Sequence, residues 1–294
     1  MGKNHIKTSE LIFDLLNFVI LLSFLFICAY PFYYIIIYSI SDSASIKSGI
    51  GFIPSGITFK NYTTIFKLPG LLNATAVSSL RTAVGSTLTV FASSLLAYII
   101  TKENLPFRKI IYRFLIITMY LSGGLIPWYL TLKAYHLTNT FFVYVIPTAI
   151  SAYYVILIKT FIEQLPPSLE ESAKIDGAGY LTIFFRIIFP LSMPIIATIY
   201  VFSAVWQWNS YFDNYILVTS AKLQTLQLIL YNYLQQANRI SHDMATIGAT
   251  LANRATPYAV KMTITVVITF PILFVYPFAQ RFFVKGILLG AVKG

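Results

Sequence analysis

An all-α integral membrane protein with six transmembrane helices and both termini in the cytoplasm is the fold this sequence predicts, and three observations predict it. Hydrophobic residues make up 57% of the 294 residues and charged ones only 11%, with a mean hydropathy of +0.73, far too apolar for a soluble domain of this size. The apolar residues gather into six stretches long enough to cross a bilayer, which takes ~20 residues of helix. Twelve of the 21 Lys and Arg then fall on one side of the membrane, and several of the other nine sit in long loops that count little.

Taken in order, the first span is Leu11 to Ile40. Lys3 and Lys7 precede it as in a secretory signal, but the apolar run continues through Tyr38, past the ~7–15 residues of a signal core, and lacks a small-residue cleavage site. It is expected to stay as a span. Cys28, the single cysteine, follows Ile27 rather than the small residue of a lipidation site and reads as buried packing. The second span is Thr82 to Ile100, with Arg81 at its outer start, where snorkelling is the default reading. The third, Ile110 to Leu132, contains Gly123, Gly124 and Pro127. These residues either bend the span into a gate or hinge that turns backbone carbonyls toward a path, or let helices pack closely. Thr140 to Ile162, Leu191 to Trp208 and Met262 to Phe283 complete the six. Residues 1–70 thus form an N-terminal helix and loop, 71–284 the core, and 285–294 a short cytoplasmic tail.

Between the fourth and fifth spans lies a cytoplasmic segment, residues 164–190. Ser168 and Glu171 have the spacing of a capping box, which starts a short helix just after Pro167. Gly177 and Gly179 bracket Ala178 at a turn, and a second helical run from Leu181 ends before Pro190. Glu171-Ser172-Ala173, Gly177 three residues on, then Ile187, Phe189 and Pro190 resemble the EAA loop of ABC importer permeases, Glu-Ala-Ala-x3-Gly-x9-Ile-x-Leu-Pro. Ser172 and Phe189 depart from that pattern by modest changes of size. Asp176-Gly177-Ala178 and Trp208-Asn209 resemble the carbohydrate branch, its maltose-type subunits in particular, and Ser122 to Pro127 a complex-oligosaccharide subgroup. The resemblance covers about Leu71 to the C-terminus.

That resemblance implies a type-I ABC importer permease fold in the bacterial cytoplasmic membrane. It implies a second homologous permease, an ABC ATPase dimer on the cytoplasmic side that carries ATP and magnesium, and an extracytoplasmic sugar-binding protein. No cofactor is expected in this chain. Glu171, Ser172, Ala173, Asp176, Gly177, Ala178 and Pro190 would couple to the ATPase, with Glu171 bonding its polar or cationic groups. The bland alternative is that Glu171 only caps and the glycines only turn. Arg81 gains a second reading, a salt bridge to the other permease.

The substrate path should show aromatic or polar groups inside apolar spans. Trp206, Gln207, Trp208, Asn209, Ser210, Tyr211 and Asp213 form the richest such run, with Tyr120 and Tyr153 on other spans. An aromatic plane beside an amide or carboxylate suits the apolar face and hydroxyl edge of a sugar. Interfacial belting explains the aromatics equally well, whereas Asn209 needs a cavity or a helix partner. Residues 211–258 make a polar outer connection that a binding protein could meet, or that merely caps the bundle.

Other functions find little support. The chain holds no Gly-x-x-x-x-Gly-Lys-[Ser/Thr] phosphate loop and no Gly-x-Ser-x-Gly elbow, and His5, His136 and His242 stand far apart, so ATP hydrolysis, acyl transfer and a metal site are not expected. The net charge of +11 is spread over short loops, without the basic stripe of a nucleic-acid reader. A secondary carrier needs ionisable groups deep in its spans and a channel needs a polar face; either remains the alternative to an importer subunit.

Overall fold

The computed structural model describes residues 8–42, 53–54, 56–246 and 261–273. Among these the backbone is helical, with one isolated antiparallel bridge between Ser41 and Ile57. Two described helices, Glu10–Ile40 and Leu71–Thr101, are long and apolar enough to cross a membrane, and up to four spans result if each of two bent pairs counts as one.

The chain divides into two units. In the first, residues 1–68 and 233–267, α1 (Thr8–Ile40) is one helix of 33 residues. Its apolar side chains stand exposed on every side from Leu11 to Ile27, as they do on a helix meant for lipid. Cys28 is exposed with them, which corrects the expectation that it is buried packing. At the far end of α1, the hydroxyls of Ser39 and Tyr62 meet at 2.7 Å, and the Asn61 amide donates to the carbonyls of Ser39 (3.1 Å) and Ser41 (3.2 Å). These bonds tie α1 to α2 (Lys60–Phe66).

The second unit comprises residues 69–232 and 268–294. Its longest element, α3 (Leu71–Thr101), starts behind Pro69 and Gly70, well before the predicted Thr82. Polar residues mask that first stretch, and several of them find partners: Thr75 donates to the Leu71 carbonyl at 2.9 Å, and the Ser78 hydroxyl accepts the Leu226 N–H at 2.8 Å. The predicted third span is two helices, α4 (Arg108–Tyr120) and α5 (Leu125–Ala134), bent by 119°. The break falls on Ser122-Gly123-Gly124, where Leu121 is extended and Gly124 has φ +83°, a conformation open to glycine. In place of a continuous fourth span, a 3-10 turn (Phe141–Tyr144) precedes α6 (Ala152–Ile162). Pro147 cannot donate to a helix through this interval, and the Ser151 hydroxyl caps α6 by accepting the Tyr154 N–H at 3.5 Å.

The segment predicted to face the cytoplasm forms α7 (Ser168–Ile175) and α8 (Tyr180–Ile183), followed by a π-helical turn (Phe184–Ile188) and α9 (Phe189–Leu191). The run passes through Pro190 instead of ending before it. The Phe189 N–H reaches back to the Phe184 carbonyl, and this wider turn makes room for a proline ring that would crowd the carbonyl four residues earlier. The chain then bends by 80° into α10 (Met193–Asn209). α10 and α6 both pack along α3, and α4 packs on α6. Ile100, Ile158, Ile183, Phe184 and Ile199 are buried in one apolar cluster.

Beyond α10, the described part of the connection is largely helical: α11 (Phe212–Leu217), a 3-10 turn (Ala221–Leu223) and α12 (Leu226–Thr246). α13 (Lys261–Leu273) follows. The last part of the predicted sixth span and the tail 285–294 lie outside the described residues.

Candidate functional site

Three places carry the residues that sequence reasoning singled out. The first is the element built around α7. α7 does begin at Ser168, but no capping box forms. The carbonyls of Pro166 and Pro167 accept the N–H groups of Leu169, Glu170 and Glu171 at 3.0–3.2 Å, so the proline pair starts the helix and Ser168 is already inside it. At the other end the Gly177 N–H donates to the Lys174 carbonyl (3.0 Å) and the Ala178 N–H to the Ala173 carbonyl (2.9 Å). This is a Schellman closure, and it requires the left-handed residue that Gly177 supplies at φ +80°. Ala173 is 9% exposed and belongs to the core cluster, with Ala178 packed beside it. Glu171, Ser172 and Asp176 face outward, and so does Ile175, an apolar side chain 87% exposed.

Neighbouring charges fix this helix in place. The Glu170 carboxylate bonds Lys102, at the end of α3, through one oxygen and Lys174 at 3.0 Å through the other. The Lys102 ammonium also lies 3.7 Å from the centroid of the Tyr98 ring. Burial raises the Glu170 carboxyl, but hydrogen bonds from Lys102 and Lys174 outweigh it and hold the group below its usual 4.5. Burial draws Lys102 down against the pull of Glu170, while the bond to Glu170 raises Lys174. Since Glu170 has a folded value below its unfolded one, its contribution is complete above about pH 4.5 and is lost as pH falls through the lowered value. Hydrogen exchange of the α7 amides, corrected for the intrinsic pH dependence, should show protection falling in that acid window, and Glu170→Gln should flatten the fall.

The second place lies between α3, α10 and α11. Arg81 is completely buried. Its guanidinium donates to Asp213 at 3.0 and 2.5 Å, to the Gln207 side-chain oxygen at 2.9 Å and to the Ser210 carbonyl at 3.2 Å, and sits 4.7 Å from the centroid of the Tyr144 ring. Snorkelling is therefore corrected to an internal ion pair: the guanidinium turns into the bundle because a carboxylate and an amide await it there. The Gln207 amide donates to Thr148 at 2.9 Å, and Gly85 on α3 makes room for it. A Cβ built at Gly85 would come within 2.5 Å of the Gln207 amide nitrogen, which its two bonds prevent from moving aside. Gly85→Leu should thus cost about 1–3 kcal/mol by overpacking, read as a lower unfolding midpoint in detergent.

The third place is the C-terminal half of α10. Trp208 donates its ring N–H to the Ile268 carbonyl at 3.2 Å. Together with Tyr200, Ala204 and Val205 of the same helix, Ser79 and Thr82 of α3, and Pro271 of α13, it lines a cleft of about 350 Å³. Asn209 bonds the Val205 carbonyl (2.9 Å) and accepts from Gln227 on α12 (3.2 Å), so its amide has the helix partner it needs. Tyr211 stacks on Tyr231 with centroids 4.7 Å apart. Asp213 is held by Arg81, and Trp206 projects outward, half-exposed. Tyr153 packs on Tyr154 at 5.9 Å, and Tyr120, 81% exposed, ends α4 just before the glycine break. Trp208 with the cleft and Asn209 with Tyr211 are thus clustered near the end of α10, while Tyr120 and Tyr153 belong to other elements. Glu170, Gly85 and Ile175 escaped the sequence reading, in which Lys102 is only one of the basic residues that set topology and Gln207 only a member of the polar run. Among the described residues no group of three His, Cys, Asp or Glu could hold a metal ion.

Known proteins resemble this chain along nearly its whole length. The chain is 37% identical over 284 residues to the polygalacturonan/rhamnogalacturonan transport system permease protein YtcP of Bacillus subtilis, covering 96% of this chain and 99% of that one. It is 38% identical over 292 residues to protein LplC of the same organism, covering 99% and 98%. In structure it resembles a chain of a bacterial ABC transporter involved in the import of the acidic polysaccharide alginate, with a TM-score of 0.85 and 27% identity over 96% of this chain and all of that one. Residues 85–289 match the family described as the binding-protein-dependent transport system inner membrane component, and the chain belongs to that family of transport permeases.

Proposed function

We propose that this chain is one permease subunit of an ATP-driven importer, forming half of the translocation path for an oligosaccharide. It crosses the cytoplasmic membrane six times with both termini inside, as a core of residues 71–284 behind an N-terminal helix and loop of residues 1–70. A second, related permease completes the path. An ATPase dimer, which holds the ATP and magnesium, drives it, and an external sugar-binding protein delivers the substrate. Membership of a binding-protein-dependent family supports the partners, and the polysaccharides named for its relatives support the substrate class.

The observation that carries the reading is the cytoplasmic element. α7 is closed by the Gly177 turn and rooted in the core through Ala173. It turns Glu171, Ser172, Asp176 and the apolar Ile175 to the outside. A short helix fixed on one face and bare on the other is what a transmitting contact needs: it moves with the protein and presents both charge and an apolar knob to a groove. Glu171 bonds a cationic group of the ATPase. Pro190 and the bend before α10 pass the displacement to the helix that bears Trp206, Trp208 and Asn209. Gly123, Gly124 and Pro127 act as a hinge between α4 and α5. Tyr120, Tyr153 and Tyr211 line the path; Asp213 supports it through Arg81.

Purification of the chain from its native membrane in mild detergent tests this directly. A second permease and a phosphate-loop ATPase should stay bound, and the ATPase should be lost from Glu171→Ala with Gly177→Leu. A chain that purifies alone contradicts the reading. For the path, Trp208→Ala should lower uptake per folded complex about fivefold, the scale of the ~0.5–1.5 kcal/mol of a specific aromatic contact. A fall in protein abundance alone would make Trp208 a packing residue.

A further inference from the structure

α7 rests on the rest of the protein in two ways that differ in kind. Ala173 makes an apolar contact, which has no preferred direction and can slide. The Glu170 carboxylate, shared between Lys102 and Lys174, makes a directed one. Lys102 and Glu170 keep only 16% and 18% of their side chains exposed, and the face of the buried Tyr98 ring closes on the Lys102 ammonium. Little water screens this joint, so its geometry is held more firmly than that of a surface pair.

What lies on the other side of the joint gives it meaning. Lys102 is the residue that ends α3, a helix of 31 residues without a proline, where its positive charge also meets the negative end of the helix dipole. From Lys102 to Arg81 the helix climbs about 32 Å at 1.5 Å per residue, close to the ~30 Å of a bilayer's hydrocarbon core. At Arg81 it is clamped again, to Asp213 and Gln207 beside the helix that bears Trp208. One unbroken helix thus carries two ion pairs, one where it ends at Lys102 on the cytoplasmic element and one about three turns in from its start, at Arg81, beside the proposed path.

We propose that Lys102 and Glu170 are positioning residues that lock the cytoplasmic helix to α3, so that its displacement reaches the Arg81–Asp213 clamp through α3 as well as through the Pro190 bend. This rests on the coupling role proposed above for α7. Glu170 is the carboxylate that faces inward to α3, and Glu171 the one that faces outward to the ATPase. The two neighbouring glutamates divide the work of reception and transmission.

The test is a distance measured in the purified complex with its ATPase, with Cys28→Ser as background and spin labels placed at Leu72→Cys on α3 and Ser168→Cys on α7. In the otherwise unaltered protein this distance should not change on adding ATP with vanadate, because α3 follows α7. Lys102→Met should let it shift with nucleotide, and the exchanged pair Lys102→Glu with Glu170→Lys should remove the shift again. A pair that only supports the fold would change the distance equally with and without nucleotide. Two results overturn the inference: a nucleotide-driven shift in the unaltered protein, or no shift in Lys102→Met. Either one, obtained on a complex that retains its ATPase, leaves the coupling role of α7 standing. Absence of an ATPase from the complex would sink both.

Discussion

Asp213→Leu should lower the stability of the chain by about 3–5 kcal/mol, the cost of leaving a buried charge without its partner. Arg81 has no route to water: it is fully buried and its guanidinium points to Asp213, Gln207, Ser210 and the Tyr144 ring. Removing the carboxylate leaves two of its donors facing a site built for an anion. Arg81→Met should be costly as well, since it strands Asp213 in turn, but the combined Arg81→Met, Asp213→Leu change should recover much of the loss, because apolar residues of similar volume replace buried pairs at little cost. Unfolding of the purified chain in detergent reads all three. If Asp213→Leu instead left stability intact and abolished uptake by the folded complex, the carboxylate would be a sugar contact and the internal clamp a secondary feature.

Gly177→Leu and Glu171→Ala should uncouple ATP hydrolysis from uptake, lowering sugar moved per ATP hydrolysed about tenfold, within the 1–3 kcal/mol typical of coupling between sites. The reasons differ. A Cβ at Gly177 meets no atom within 4 Å, so the damage is to the backbone: a side chain costs ~1–2 kcal/mol in the left-handed conformation that closes α7. Asn tolerates that conformation, so Gly177→Asn should retain most coupling if the turn is what counts, and lose it if the ATPase needs a bare surface there. Glu171 forms no cap bond in α7, so its removal should leave the helix formed and the chain inserted. Normal uptake per ATP in both Gly177→Leu and Glu171→Ala would remove the coupling role from this segment.

Much of the architecture could be read from the chain because it follows from local order. α1 and α10 lie almost where unbroken apolar runs predicted them, and α7 starts at Ser168 as expected, although by way of its prolines. The bend between α4 and α5 falls on the glycines that marked it. The misreadings at the start of α3 and at Asp213 share one physical origin, in which a distant partner cancels a local signal. Asn73, Ser78 and Arg81 lowered the hydropathy of the first part of α3, but Lys222, Leu226 and Asp213, all more than 130 residues away, satisfy them inside the protein. Asp213 read as a path residue for the same reason, since nothing near it in sequence announces Arg81. The π-helical turn before Pro190 depends on how one helix accommodates a ring, which periodicity does not encode. Glu170 was overlooked because the motif places its glutamate at position 171, and only the approach of Lys102 distinguishes the two.

The most direct test of the central claim is uptake of an oligogalacturonide, with neutral oligosaccharides alongside, into proteoliposomes holding either the purified complex or this chain alone. The account predicts uptake that requires both ATP at the face bearing the Gly177 turn and the binding protein at the opposite face, and none by the chain alone. Sugar movement by the chain alone, driven by a gradient and indifferent to ATP, would contradict it and make the protein a carrier or a channel.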